Sequence, residues 1–300
     1  MRDVYIINPA AGKQDSSETL VEQIKLYYGD DCKILFTEGV GDARVKARKE
    51  AETGDDVRIF ACGGDGTCFE VLNGIVGFEN VSLGIIPIGS ANDFIKYFGK
   101  DSKKEFLNIE KQKYGKSIDV DLIKAGDYYC LNQCCAGMDA MVADDMKIFK
   151  RLPFVSGPTA YNLAVVKTIL RKLGIKAKLI IDNEKQVEGR YLFAVCANAP
   201  AYGGGYMSAP NSNPFDGKLN FLSVDVISRL KILKFLPIYK AGKHEGLPFC
   251  TTGECQTMEI ITEKPIPVSL DGEILHTKNI KCEIVKKAIK LIVPENLLTN

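Results

Sequence analysis

Ala61-Cys62-Gly63-Gly64-Asp65-Gly66-Thr67 follows the apolar run Val57–Phe60 (VRIF) and leads into CFEVLNGIVG. A hairpin would place a second strand after such a turn. Here Val71, Leu72 and Ile75 recur at the spacing of a helix face. Three glycines and an aspartate between a buried strand and a helix let the backbone come close to a ligand, with the helix N-terminus aimed at it. Proteins commonly hold phosphate in this way.

The same strand–helix alternation extends on both sides. VYIIN (Val4 to Asn8) reads as a buried strand ending at the loop PAAGK, and SSETLVEQIKLYYG as a helix capped by Ser16 or Ser17. KILFTE is a second strand, and DARVKARKEAETG a charged helix closed by Gly54. VRIF is the third strand, FEVLNGIV its helix, and LGIIPI (Leu83 to Ile88) a fourth strand running into GSANDF. This pattern predicts a doubly wound parallel sheet with right-handed crossovers, over residues 1–120. Ligands bind such sheets beyond the carboxyl ends of the strands, where NPAAGK, FTE, GGDGT and GSANDF all fall.

From about residue 121 the pattern becomes mainly antiparallel β and sandwich-like. SIDVDLIKAG, YYCLNQCCAG, KAKLIIDN, QVEGRYLFAVCAN, GKLNFLSVDV, TMEIITE, PIPVSLDGE and NIKCEIV are strand-like, punctuated by Gly126-Asp127, Asp182-Asn183, Asp216-Gly217 and Asp271-Gly272. One or two helices interrupt it near 153–173 and 228–242. The second domain is read as 121–287, with 288–300 returning to the first.

Composition narrows the function classes. A net charge of +1 argues against a dedicated nucleic-acid binder. The ten cysteines form no C-x-x-C pair and only two histidines accompany them, so free buried thiols in a reducing cytoplasm are expected rather than a zinc site. The first residues lack the regions of a signal peptide, and no apolar run reaches a membrane span, so a cytoplasmic or peripheral protein is expected. Gly12-Lys13 is followed by Gln14, so there is no Walker A loop, and G-x-G-x-x-G is absent after the first strand.

NPAAGK, ACGGDGTCFEVLNGI, IIPIGSANDF and SLDGE, in this order, resemble the bacterial diacylglycerol kinases and related lipid kinases, relatives of the sphingosine, ceramide and NAD kinases. The resemblance spans Ile6 to about Pro294. It implies an ATP- and Mg²⁺-dependent phosphotransferase with its active site in a cleft between two domains, and a homodimer. Asn8, Pro9, Ala10, Ala11, Gly12 and Thr37 would contact nucleotide. Gly63, Gly64, Asp65, Gly66, Thr67, Cys68, Phe69 and Glu70 would cradle the phosphates, and Ser90 stands where the family usually has Thr. Asp65 would hold the catalytic Mg²⁺; the plain alternative is a helix cap.

Asp271-Gly272-Glu273 reads by itself as a hairpin turn. By resemblance Glu273 accepts the proton of the acceptor hydroxyl. Asp271 is a rival, because alternation along a strand would put both on one face. By resemblance a structural Mg²⁺ would sit on Asp216 with the carbonyls of Asn213 and Lys218, or, since Phe215 and Asn220 replace acidic residues common there and one carboxylate remains, the site is weak, water-rich or absent. Phe69 replaces a usual Asn. Asp93 and Asp119 match an interdomain charge network whose usual lysine is Ala164 here, so that either Lys167 is its basic partner or the network is lost.

Residues 146–181 carry eight basic residues and no acidic one, with Phe149, Leu152, Phe154, Val155 and Leu173 among them. RLKILKFLPIYKAGK mixes five more with bulky apolar residues. Both suit an anionic bilayer surface, or else a solvated face over core residues. The run from Lys96 to Lys116 reads as solvated helix. YGGGYM (Tyr202 to Met207) reads as an acceptor-pocket lining or a bulge. The expected function is phosphorylation of a lipid hydroxyl at the membrane surface, diacylglycerol to phosphatidic acid. The alternatives are another acceptor (sphingoid base, ceramide, glycolipid or NAD) or a non-catalytic nucleotide- or lipid-binding regulator.

Overall fold

The protein is described from a computed structural model covering residues 1–12, 17–149, 157–171 and 173–298. Ser16, Lys13, Lys150, Arg151, Leu152, Phe154, Val155 and Lys172, all used in the sequence reading, lie outside the described residues. The chain divides into two compact units, Met1–Leu122 with Lys286–Asn300, and Ile123–Val285.

The first unit runs β1 (Arg2–Ile7), α1 (Ser17–Tyr28), β2 (Cys32–Phe36), α2 (Asp42–Ala51), β3 (Val57–Cys62), α3 (Asp65–Ile75) and β4 (Val81–Ile86). A 3₁₀ turn (Phe94–Phe98), α4 (Ser102–Leu107), α5 (Ile109–Lys113) and β5 (Lys116–Ala125) follow. The sheet order β2-β1-β3-β4 is parallel throughout. Ile7 pairs with both Phe36 and Cys62, and Cys62 with Ile86, so the carboxyl ends of these strands form one level edge. The loops opening at Asn8, Thr37, Gly63 and Pro87 therefore start side by side.

Beneath that edge the core is aromatic. Tyr5 and Phe60 from adjacent strands stack at 4.5 Å between centroids, and Tyr28 of α1 meets Tyr5 edge-on at 5.6 Å. Both geometries are favourable for ring quadrupoles. Asp3 and Arg58 form a buried pair, Nε to Oδ1 2.6 Å, and the remaining guanidinium donor reaches the Lys113 carbonyl at 2.7 Å. Satisfying those donors is what makes a buried charge tolerable.

Two boundaries differ from the sequence reading. β4 stops at Ile86, because Pro87 brings no N–H to the ladder. α3 begins at Asp65, so the end of GGDGT is already helical rather than loop. The lysine-rich run 96–116 is not one solvated helix but a 3₁₀ turn and two short helices, with Phe106, Ile109 and Gln112 buried and Asn108 capping α5 through the Lys111 amide.

The second unit contains β6 (Tyr128–Cys130), β7 (Gln133–Gly137), α6 (Met138–Phe149), α7 (Gly157–Leu170), β8 (Ile175–Ile181) and β9 (Lys185–Ala197). Then come β10 (Ala201–Tyr202), β11 (Tyr206–Met207), β12 (Leu219–Asp225), α8 (Arg229–Lys240), β13 (Cys250–Cys255), β14 (Thr257–Leu270) and β15 (Glu273–Val293). Its pairings are antiparallel. β8 pairs with the first halves of β9 and β14, and β7 with their second halves. TMEIITE and PIPVSL form a single strand, β14, whose register shifts between Ile261 and Ile266, around Pro265. The far end of β15 enters the first unit, where Lys290 and Leu291 pair parallel with Ser82 and Leu83 of β4.

α6 and β13 were not read from the sequence. α6 follows β7 directly, with the single residue Gly137, at φ 107°, turning one into the other. α6, α7 and α8 share an apolar cluster with the sheet, including Met138, Ala164, Phe193, Ile232, Phe235 and Tyr239. Tyr202-Gly203-Gly204-Gly205-Tyr206 is the turn of the β10–β11 ribbon, not a bulge, with all three glycines at positive φ. Among the described residues no helix is long and apolar enough to cross a membrane.

Candidate active site

Three loops of the first unit are tied together at the carboxyl edge of the sheet. The Asn8 side chain turns its own loop by accepting the Ala10 amide at 3.0 Å and donates to Thr67 Oγ1 at 3.0 Å. This joins the NPAAG loop to the first turn of α3. Gly63 donates to the Ile86 carbonyl at 3.1 Å, and its own carbonyl accepts from the Gly89 amide and Asn92 Nδ2, both at 3.0 Å. The GGDGT and GSAND loops are thus cross-bonded.

Their closeness explains the glycines. A Cβ on Gly63 would lie 2.3 Å from Thr67 Oγ1, and one on Gly89 2.3 Å from Gly64 Cα. α3 starts at the Gly64 cap, so the amides of Asp65, Gly66 and Thr67 have no intrahelical acceptor. With the helix dipole behind them they suit anionic oxygens.

Asp65 does not cap α3; Gly64 is the cap, with no side-chain bond. Its carboxylate instead crosses to the third loop, accepting the Asn92 amide at 2.9 Å and the Asp93 amide at 2.7 Å. Burial, together with the neighbouring Asp93 carboxylate, pushes the Asp65 carboxyl above its ordinary value, despite the two amides and the Lys96 ammonium. Asp93 is buried and paired with Lys96. Two like charges held together in this way favour either a proton or a cation. Mg²⁺ is commonly held by one or two carboxylates with its remaining positions on phosphate and water, and Asp65 with Asp93 fits that donor set.

The other nucleotide candidates divide. Thr37 lies at the same edge, its amide bonded to the Ile7 carbonyl at 2.9 Å, and Ser90 is exposed at the tip of the third loop. Pro9, Ala11 and Gly12 line the first loop, Gly12 at φ 87°. Cys68 and Phe69 are buried, so their side chains serve packing rather than the phosphate cradle. Glu70 is also displaced from that role. Its Oε1 accepts the Gly41 amide at 2.8 Å and its Oε2 the Ala43 amide at 3.1 Å, capping α2. Sequence reasoning missed Lys103, whose ammonium donates to the Gly89 carbonyl at 2.8 Å and brings a positive charge to the third loop. It stood unnoticed in a run of lysines.

In the second unit Asp271 and Gly272, at φ 49° and 98°, form the turn between β14 and β15. Asp271 is therefore not a strand residue, and alternation does not place it on one face with Glu273. Its carboxylate accepts three amides, Leu131 at 2.6 Å, Asn132 at 3.0 Å and Gln133 at 2.8 Å, and its own amide returns to the Gln133 carbonyl at 3.1 Å. With its lone pairs so engaged, Asp271 pins the hairpin to the 131–133 loop. Glu273 is the first residue of β15, half-buried and paired with Leu270.

The loop of the implied structural Mg²⁺ offers one carboxylate, and its residues bond to one another. Asp216 Oδ1 accepts the Lys218 amide at 2.9 Å, the Asn213 side chain accepts the Phe215 amide at 3.1 Å, and the Asn213 carbonyl accepts the Asp216 amide at 3.4 Å. The loop closes on itself around one carboxylate, and the Lys218 ammonium pairs with Glu254 at 2.6 Å. Among the described residues no group of three or more His, Cys, Asp or Glu could hold a metal.

Asp93 and Asp119 do not share one charge network. Asp93 lies at the carboxyl edge of the sheet, whereas Asp119 lines a cavity of about 350 Å³ at the opposite edge with Asp56, Glu79 and Lys290. Lys167 pairs with Asp145 at 2.7 Å.

Residues 3–125 match the diacylglycerol kinase catalytic domain, and residues 132–293 match the YegS C-terminal NAD kinase beta sandwich-like domain. The "Probable lipid kinase YegS-like" protein of Shewanella frigidimarina is 28% identical, over 80% of this chain and 77% of that one. A diacylglycerol kinase of Mycobacterium tuberculosis is 26% identical, over 85% and 82%. The crystal structure of a diacylglycerol kinase from Bacillus anthracis superposes with a TM-score of 0.70 over 99% and 98% of the two chains, at 22% identity, a likeness of fold. Two matched domains in this order, on a sheet whose GGDGT and GSAND loops are bonded together, mean that the chain belongs to the diacylglycerol kinase family of lipid kinases, phosphotransferases whose acceptor is an alcohol.

Proposed function

We propose that the protein transfers the γ-phosphoryl group of ATP to a lipid hydroxyl, with diacylglycerol the first candidate acceptor and phosphatidic acid the product, at the cytoplasmic face of a membrane. The observation that carries this reading is the cross-bonding of three loops around the N-terminus of α3, with Asp65 and Asp93 beside it. The M. tuberculosis relative named as a diacylglycerol kinase supports the choice of acceptor.

On this reading the amides of Asp65, Gly66 and Thr67 receive phosphate oxygens, and Lys103 adds charge beside them. Asp65 and Asp93 would hold Mg²⁺, which supplies neutralisation of charge on the phosphates during transfer. The acceptor oxygen bonds to the γ-phosphorus as the bond from that phosphorus to the β–γ bridging oxygen breaks, releasing ADP. Glu273 accepts the hydroxyl proton. Asp271 acts through its hold on the hairpin that presents Glu273.

The test is transfer of labelled γ-phosphate from ATP to a panel of lipids in mixed micelles, comparing the wild type with Asp65→Asn. A labelled diacylglycerol product that the variant does not make is the expected result. Label on a different lipid replaces the acceptor. ATP binding without transfer to any lipid overturns the reading in favour of a regulator.

A further inference from the structure

We propose that the outward face formed by the end of α7 and by α8 is a docking surface for an anionic phospholipid bilayer. The proposal rests on the lipid-kinase reading, since an acceptor dissolved in a bilayer has to be met at its surface.

α8 is apolar on two sides. Ile232, Phe235 and Tyr239 are buried, with Tyr239 5.0 Å from Phe193. The opposite side leaves Leu230 75% and Leu233 55% exposed. α7 repeats the pattern: Ala160, Ala164 and Ile169 are buried, while Val166 and Leu170 are 55% and 71% exposed. A helix packed by one stripe ordinarily carries polar residues on the other.

The end of α7 and the start of α8 are tied together. Arg229, the first residue of α8, donates through Nε to the Ile169 carbonyl at 2.8 Å and through Nη2 to the Arg171 carbonyl at 3.2 Å. Leu170 and Leu230 are each adjacent in the chain to a residue of this tie, so the two exposed stripes end beside one another.

The charge on this patch has one sign. Neither 157–171 nor 229–240 contains Asp or Glu, and Arg229, Lys231, Lys234 and Lys240 are exposed among the leucines. Lys167 and Arg171 answer Asp145, which is buried beneath them, at 2.7 and 2.9 Å. Large apolar side chains that enter the acyl boundary, interleaved with cations that stay at the headgroups, match the chemistry of an anionic bilayer.

Co-sedimentation of the full chain with vesicles of phosphatidylcholine, with and without phosphatidylglycerol, tests this. Leu230→Ser/Leu233→Ser and Lys231→Glu/Lys234→Glu remove the apolar and cationic parts, and Lys264→Glu/Lys278→Glu reverses two lysines of the second unit outside the patch. The wild type is expected to pellet only with the anionic vesicles. Each α8 double variant should weaken that binding by about tenfold or more, and the control should not. All these residues are exposed, so thermal melts should coincide. A wild type that stays in the supernatant, that pellets equally with neutral vesicles, or that pellets as well after the α8 substitutions overturns the proposal. The first of these results leaves the patch to a protein partner. Phosphorylation of a monomeric short-chain diacylglycerol, measured in parallel, separates the two readings. If docking alone is wrong, wild type and variants still phosphorylate it; if the kinase reading is wrong, none does, whatever the vesicles show.

Discussion

Asp65 and Asp271 stand in similar contexts, each followed by glycine, and each collects backbone amides from a distant loop. The first takes one amide on each oxygen, from Asn92 and Asp93, with the Asp93 carboxylate alongside. The second takes three, from Leu131, Asn132 and Gln133. Asp65 keeps unused lone pairs and an uncomfortable negative neighbour, which is a reason to bind a cation. Asp271 has three of its roughly four lone-pair sites taken by amides, which is a reason to be structural. The same dipeptide thus yields a candidate metal ligand in one unit and a pin in the other, and the carboxylate beside Asp65 is what sets the two apart.

The largest effect should come from Asp65. Asp65→Asn is expected to lower lipid phosphorylation by about a thousandfold, the scale of losing charge stabilisation in phosphoryl transfer, while the protein stays folded. An active variant would make Asp65 a second pin. Next comes Glu273→Gln, expected to reduce kcat by roughly 10²–10³ with little change in KM for ATP. Asp271→Asn should instead show mainly as lost stability, roughly 2–4 kcal/mol in denaturant melts, because amides in the 131–133 loop lose a charged acceptor. A kcat loss at Asp271 equal to that at Glu273, with no stability change, would reverse the assignment.

Asp139 sharpens the comparison by lacking amides. It is half-buried, and its Oδ2 accepts from the hydroxyls of Tyr202 and Tyr239, the latter at 3.2 Å. Burial pushes it up to about 6, with the two hydroxyls opposing. Its folded value is raised, so the folded state holds the proton more tightly. The stability this confers is complete below the ordinary carboxyl range and is lost as pH rises through about 6. Relative to Asp139→Asn, the wild type should lose roughly 3 kcal/mol between about pH 4 and pH 7, measured by denaturant melts across that range. A pH-independent difference would contradict the burial argument. The smallest effect is Glu70→Ala, expected to cost about 1 kcal/mol through the lost cap on α2 without altering the KM for ATP.

Much of the first unit was legible because its signals are local. A parallel strand buried on both faces reads as an apolar run, and a glycine loop before a helix marks where the run ends. The assignment of GGDGT and GSANDF to a single edge followed from alternation alone. Other features depend on contacts between distant segments. Glu70 looks like part of a phosphate loop until Gly41 and Ala43 are seen on its oxygens. Lys103 looks like one lysine among many until its bond to Gly89 is drawn. In the second unit the alternation argument for Asp271 assumed a strand through a residue that sits at φ 49°. The helix α6 was hidden because only Gly137, at the end of a strand-like run, separates it from β7. The implied metal loop offers a single carboxylate, and the bonds that neighbouring amides make to it and to its partner Asn213 are not visible in the sequence.

The most direct test of the central claim, that Asp65 is held for a cation rather than for the fold, is titration calorimetry of ATP into wild type and Asp65→Asn, each with and without Mg²⁺. The account predicts that Mg²⁺ tightens ATP binding to the wild type and that this tightening disappears in the variant, while both proteins melt at similar temperatures. The same Mg²⁺ dependence in both proteins would contradict it.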